Sequence, residues 1–351
     1  MRRLLLAAAL LPGVALPSSA AFQTDAGVNG APFLKIGAGA RALGMGEAMT
    51  ASAEGPEAVY WNPGGLAAAR GFEVAYARAE LPDSVHHDYA ALALPVNWSG
   101  GVFGFAFTRL TQGSIERVDN VGVARGSFAP HSEAVSFGYA RSFSEEDALT
   151  KDRGYFRDTW NLPGAARRFE DDDEREPWTG SFRAGAALKI VSETLGSRTA
   201  TTATGDGGVI YRPSARPALA LAWAFRNAGG RLRFIGQSEP LPFEFSLAAA
   251  HDWEPERGRV VTAIEAVAPL HARPYAKLGA EWGRAVSRGA EAIGRVGFHG
   301  RSVPDLGVLS GLTVGAGVRV NGFSFDLAFQ PMGQLGEAFR LGLGWRFGRK
   351  S

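Results

Sequence analysis

The stretch "FRLGLGWRF", Phe339 to Phe347, decides the fold. Successive side chains of a strand point to opposite faces, so Phe339, Leu341, Leu343, Trp345 and Phe347 share one side of an extended chain. Arg340, Gly342, Gly344 and Arg346 share the other. Large apolar groups opposite glycine and arginine suit a strand with lipid on one side and a crowded interior on the other.

The pattern recurs upstream. Phe323, Phe325, Leu327 and Phe329 alternate with Ser324, Asp326, Ala328 and Gln330, and Leu312, Val314, Ala316, Val318 and Val320 alternate with Thr313, Gly315, Gly317 and Arg319. Between these two runs sits Asn321-Gly322, a strong signal for a type I′ hairpin turn. Leu219, Leu221, Trp223 and Phe225 form another such face, opposite three alanines and Arg226, and Phe103, Phe105 and Phe107 a further one. Soluble sandwiches alternate too, but their outer faces carry many more charges. Here the second face is mostly Gly, Ala, Ser and Thr, which fits the inside of a narrow barrel and implies that something fills it. The final strand is also similar to the signal by which outer-membrane barrels are recognised for assembly, which singles out Trp345 and Phe347.

Such segments number about fourteen, an even number as bacterial barrels require. They start near Phe72, His87, Gly101, Ser132, Thr179, Ala200, Pro217, Leu241, Gly258, Arg273, Glu291, Gly311, Asn321 and Glu337. The expected fold is all-β: a single transmembrane antiparallel barrel over residues 71–347. With both termini in the periplasm, "VNWSG", "RPSARP", "AVSRG" and "VNG" become compact periplasmic turns. One connection is long: residues 144–178, carrying "RRFEDDDEREP", join the fourth and fifth strands as a charged periplasmic insert with the composition of a disordered or docking segment.

The other end of the chain places it in the cell. "MRRLLLAAALLPGVALPSSAAFQT" has a basic start, an apolar run from Leu4 to Leu11 and a small-residue cleavage zone, so residues 1–21 read as a Sec signal peptide. A twin-arginine signal is the weaker reading, because the apolar run begins directly after the arginines. No later uncharged apolar run reaches the ~18 residues that a spanning helix needs. Cysteine is absent, so the exported chain has no disulfides. The 37 basic and 35 acidic residues are interspersed, which gives no electrostatic case for nucleic acid.

Residues 22–70 precede the first strand and are too long for a simple tail. "FLKIGAGARALGMGEAMTASAEGPEAVYWNPGGLA", from Phe33 to Ala67, is rich in residues that pack at close quarters and reads as a plug in the lumen. Its "GAGARALG" lacks the glycine spacing and preceding strand of a dinucleotide fingerprint. The stretch strongly resembles the N-terminal signature of the PorV/PorQ family, outer-membrane proteins related to the FadL long-chain fatty acid transporters. "GDGGVIYRP", "AFRNAGG", "YAKLGAEWG" and "FSFDLAFQPMGQLGEAFRLGLGWRF" look like further family segments in family order. The resemblance implies a fourteen-stranded barrel with an N-terminal plug, and it leaves two functions open. PorV receives cargo for type IX secretion, whereas FadL members pass hydrophobic molecules; the plug signature favours a docking or export accessory, with the FadL-like conduit as the alternative. The implied partners are outer-membrane lipid, the barrel assembly machinery, and either secreted cargo and secretion components or hydrophobic small molecules.

Among single residues, Trp61-Asn62-Pro63-Gly64 is the best local motif, and its turn chemistry predicts a lock between plug and wall. Arg183, Arg319, Asp326, Arg340 and Arg346 face the lumen by parity and should pair with one another or with the plug, since buried charges need partners. His86-His87-Asp88 falls at an expected loop without a third metal ligand and reads as solvated. Asp171 to Glu174 lacks calcium-loop spacing. No nucleophile elbow, zinc helix or cysteine nucleophile is present, so no enzyme, metal or cofactor is expected.

Overall fold

In the computed structural model, which describes residues 29–96, 100–143, 180–234, 236–256 and 258–347, the alternating segments are strands of one closed antiparallel barrel. The signal-peptide residues, the turn "VNWSG" over most of its length, the 144–178 insert and Asp171 to Glu174 lie outside the described residues.

The chain forms β1 (Glu73–Leu81), β2 (Val85–Val96), β3 (Gly101–Thr111), β4 (Ile115–Val118), β5 (Ala124–Phe128) and β6 (His131–Phe143). It continues with β7 (Gly180–Leu195), β8 (Arg198–Pro213), β9 (Leu219–Ala228), β10 (Arg231–Phe234), β11 (Gln237–Pro240) and β12 (Glu244–Trp253). The remaining strands are β13 (Arg259–Pro269), β14 (Tyr275–Ser287), β15 (Ala290–His299), β16 (Leu312–Val320), β17 (Phe323–Pro331) and β18 (Glu337–Arg346). β4 with β5 and β10 with β11 are separate two-stranded hairpins; the other strands pair in chain order, and β1 closes on β18 from Glu73 opposite Arg346 to Glu80 opposite Phe339. Closure leaves the wall without a free edge.

Each expected strand start falls within three residues of a barrel strand start. The I′ turn is present, with φ of 46° at Asn321 and 92° at Gly322. The connections 214–218, 288–289 and 321–322 lie at one end of the barrel and are short; 112–130, 229–243 and 300–311, at the other, are long and carry the two hairpins and a short helix. The outward faces are apolar as the alternation requires: Phe323, Phe325, Leu327, Phe339, Leu343 and Trp345 are all exposed. Exposed aromatics gather at the short-turn end, where Phe182 stacks on Tyr211 at 4.5 Å and Phe323 on Trp345 at 4.7 Å.

One local expectation is corrected. His86, His87 and Asp88 belong to β2, because the turn before them is only Pro82–Ser84, and alternation then drives His87 into the interior, where it is buried. Asp88 is held by Tyr76 and Arg78 of the neighbouring strand, and His86 meets Glu80.

Residues 30–69 are almost wholly buried and touch strands all around the ring, which places them in the lumen. Short helical turns fold this segment: Pro32–Lys35, Ala40–Gly44, Gly55–Glu57, Ala58–Trp61 and Pro63–Ala68. Glycines in both partners permit the approach. Gly44 lies against the backbone of Gly315, and side chains on Gly185 or Gly297 would collide with the backbone at Pro63 or Gly46.

Candidate functional site

The lumen is where the chain spends its polar residues. In the lumenal segment, Tyr60 donates from its hydroxyl to the Leu34 carbonyl at 2.9 Å, and Trp61 donates from Nε1 to the Ala38 carbonyl at 2.9 Å. These bonds tie the early turn to the helix Ala58–Trp61. The wall then grips the tryptophan through cations: Arg226 and Lys277 each lie 5.1 Å from its ring. Such contacts gain strength when desolvated.

Asn62 is fully buried and works in both directions. Its Oδ1 accepts from the Gly64 N–H at 3.0 Å, capping the turn Pro63–Ala68, in which proline occupies the first position with no N–H to satisfy. Its Nδ2 donates to the Thr50 carbonyl at 2.8 Å and to the Val209 carbonyl of β8 at 3.3 Å. Pro63 and Gly64 pack on Gly185 of β7, and Asn62 on Gly208 of β8. The four residues Trp61 to Gly64 thus sit where segment and wall touch.

The inward charges are distributed in pairs. Arg340 donates to the Gly39 carbonyl at 3.2 Å and meets Glu47 at 3.3 Å. Asp326 accepts from Arg295 at 2.7 Å; Arg319 meets Glu291 at 3.3 Å; Arg346 meets Glu73 at 2.8 Å; Arg183 meets Glu54 at 3.4 Å. Of the five charged residues singled out by parity, Arg340 and Arg183 reach the lumenal segment, and the other three pair with wall residues.

Several lumenal groups were not singled out from sequence. Arg41 meets Glu281 at 2.9 Å, Arg295 meets the same carboxylate at 2.7 Å, Lys277 meets Glu265 at 3.1 Å and Arg226 meets Glu244 at 2.6 Å. Lys189 lies 2.8 Å from Asp206, beside a bulge between β8 and β9 where Asn227 takes a φ of 58°. The available signal was a lone charge at an inward position of a small-residue face, as Lys277 and Glu281 stand in "YAKLGAEWG".

Two carboxyls of the lumenal segment are perturbed in opposite directions. Burial opposes the ionisation of Glu47, but the surrounding cations, Arg340 among them, outweigh it and hold its carboxyl at about 2. Burial pushes the Glu57 carboxyl up to about 7, only partly offset by Arg41. Glu57 borders a cavity of about 1090 Å³ at the short-turn end, beneath residues 51–57 and lined by charges from both segment and wall. Among the described residues no cluster of three or more His, Cys, Asp or Glu is placed to hold a metal ion.

No family model matches the sequence, and no curated protein matches it. Solved structures do match in fold. The Pseudomonas putida toluene transporter TodX superposes with a TM-score of 0.52 at 13% identity, over 88% of this chain and 96% of that one. The Ralstonia pickettii toluene transporter TbuX gives 0.50 at 11% identity, over 89% of this chain and 99% of that one. At such identities the likeness establishes a shared architecture.

Proposed function

We propose that this chain is an outer-membrane channel for hydrophobic small molecules, plugged by its own N-terminal residues up to about position 70. The observation that carries this reading is the shared architecture with two toluene transporters along nearly the full length of each. Two features of the chain support it. The outward face is an apolar band edged at the short-turn end by exposed Phe103, Phe143, Phe182, Trp253, Trp282 and Trp345, as a membrane interface favours. The lumen is filled by a segment held through side chains, which can rearrange without opening the hydrogen-bonded wall.

The sequence resemblance leans toward an export accessory of the PorV type, but the structural neighbours support the FadL-like conduit instead. The docking reading rests on the plug signature, and the 144–178 insert that would present its docking face lies outside the described residues. Outer-membrane placement, the signal peptide and assembly through Trp345 and Phe347 belong to the same proposal.

Uptake tests it. Cells producing the protein in their outer membrane should take up radiolabelled toluene at low external concentration several-fold faster than cells without it, while uptake of a sugar of similar mass stays unchanged. Equal toluene uptake, with the folded barrel present in the membrane, would overturn the proposal.

A further inference from the structure

The outer wall is irregular where β14 and β15 approach their short turn. Ala285 faces Glu291 across the two strands but Ser287 faces Ala290, so Val286 is an extra residue on β14. Such a bulge bends its strand and disturbs the local pairing. Beside it, on the outward face, opens a groove of about 590 Å³ lined by Trp282, Arg284, Val286, Ala292 and Gly294. Its floor is made of small residues: Gly294 pairs with Trp282 on one side and Ala316 on the other, and Ala292 pairs with Arg284. A Cβ on Gly294 would meet no atom within 4 Å, so the hollow is open space. Glycine inside a strand often marks a place where a ligand comes close.

Arg284 has nothing of opposite sign beside it. Among the described residues its side chain forms no ion pair or hydrogen bond, and neither does that of Arg288 in the turn that follows. Other outward arginines are matched: Arg78 by Asp88, Arg109 by Glu133 and Arg141 by the ring of Phe143. The acids of β14 and β15 next to this corner, Glu281 and Glu291, belong to the inward face, where they meet Arg41 and Arg319. Glu254 and Glu256, in the neighbouring turn after β12, pair with neither arginine. The groove therefore ends in uncompensated positive charge.

Its depth narrows the occupant. Exposed Trp282 belongs to the aromatic edge of the apolar band, and such aromatics sit at headgroup level. Arg284 is the next outward position toward the turn, about 6–7 Å farther along the strand. A guanidinium at that level faces phosphodiesters, and the groove beside it joins that level to the apolar band.

We propose that this corner of the outer wall is a binding site for an anionic phospholipid of the periplasmic leaflet, its phosphodiester on Arg284 and an acyl chain in the groove over Ala292 and Gly294. The site goes beyond the conduit reading and takes from it only the placement of the barrel in the outer membrane. Arg288 adds to the preference for a lipid with net negative charge, because a zwitterionic headgroup brings a cation to the same corner.

Native mass spectrometry of the purified full chain in a non-ionic detergent tests the site, with dioleoylphosphatidylglycerol and dioleoylphosphatidylcholine as probes. The unaltered chain should hold one phosphatidylglycerol several-fold more tightly than phosphatidylcholine. Arg284→Gln should weaken phosphatidylglycerol about tenfold, the loss of one charge-assisted contact, and bring it toward the level of phosphatidylcholine. Gly294→Leu, which fills the groove, should weaken both lipids, whereas Arg216→Gln, at an exposed arginine of another short turn, should weaken neither. Phosphatidylglycerol affinity that ignores Arg284→Gln, or falls equally with Arg216→Gln, overturns the site; affinity that ignores Gly294→Leu overturns the role of the groove. A dimer mass that disappears in Gly294→Leu would seat a second copy there and overturn the lipid. Heat-modifiable gel migration confirms that each variant is folded. Toluene uptake separates this proposal from the conduit: Arg284→Gln should leave it intact, and a protein that binds phosphatidylglycerol as expected yet takes up no toluene retains the site and loses the channel.

Discussion

Lys277 of β14 and Glu265 of β13 meet at 3.1 Å inside the barrel, each only about 1% exposed, and the second oxygen of Glu265 accepts from the Thr50 N–H of the lumenal segment at 3.0 Å. One buried ion pair thus joins two strands and holds the segment. Breaking such a pair by removing one partner costs about 3–5 kcal/mol, because the other charge remains buried without compensation. Glu265→Gln should therefore lower the temperature at which the folded band disappears on a heat-modifiability gel. Glu265→Leu with Lys277→Met should recover part of the loss, since an apolar pair leaves no orphan charge and only the Thr50 N–H loses its acceptor. Equal melting of the single and double variants would contradict this.

Asn62→Leu keeps the branched outline of the side chain and removes the donor and acceptor together. It orphans the Thr50 carbonyl and the Gly64 N–H, each at roughly 1–3 kcal/mol, while the wall keeps its strand pairing. The lumenal segment should open more often than the barrel unfolds. Trypsin cleavage at Lys35 and Arg41 of the purified protein should accelerate about tenfold or more, with the barrel fragment left resistant. Unchanged cleavage would show that Asn62 does not hold the segment.

The two perturbed carboxyls give the segment a pH optimum. The carboxyl of Glu57 is raised from 4.5 to about 7, so the folded protein binds the extra proton between those values and its stability falls as pH rises through that window. Glu47 is depressed to about 2, so its contribution is complete above about 4.5 and is lost as pH falls toward 2. Hydrogen exchange of residues 40–61 should be slowest near pH 5 after correction for intrinsic rates, and faster at pH 8. Glu57→Gln should remove the rise between pH 5 and 8; a rise that persists in this variant would assign it to another group.

At the end of β18, the Trp345 ring lies 3.7 Å from that of Phe347, and Phe347 packs on Phe72 at 5.1 Å, beside the seam that closes the barrel. Trp345→Ala with Phe347→Ala should reduce the membrane-inserted, heat-modifiable fraction several-fold, whereas Arg349→Ala should not. Equal membrane levels for the two would remove these aromatics from assembly.

The wall was legible because a strand writes itself into sequence with period two and the turns between strands are punctuated, as at Asn321-Gly322. The hairpins β4–β5 and β10–β11 were not, since they stand outside the ring and carry no lipid face. His87 falls inside because β2 starts two residues earlier than its sequence start suggests, which turns an expected loop residue into an inward strand position. The inward direction of Arg340 or Asp326 follows from parity alone, but a partner does not: Arg41 and Glu281 are 240 residues apart in the chain and meet only because the segment folds back into the finished ring. Glu54 is opaque in the sequence for the same reason, its partner Arg183 lying on a much later strand.

The central claim is that the lumen of a channel is closed by the chain's own N-terminal residues. Single-channel recording in planar bilayers, comparing the full chain with a variant lacking Phe33 to Leu66, tests it most directly. The wall makes its hydrogen bonds between strands, so the shortened protein should still form a heat-modifiable barrel, and its ionic conductance should rise from near closure to large, stable steps. A folded, shortened barrel that conducts no more than the full chain would contradict the account.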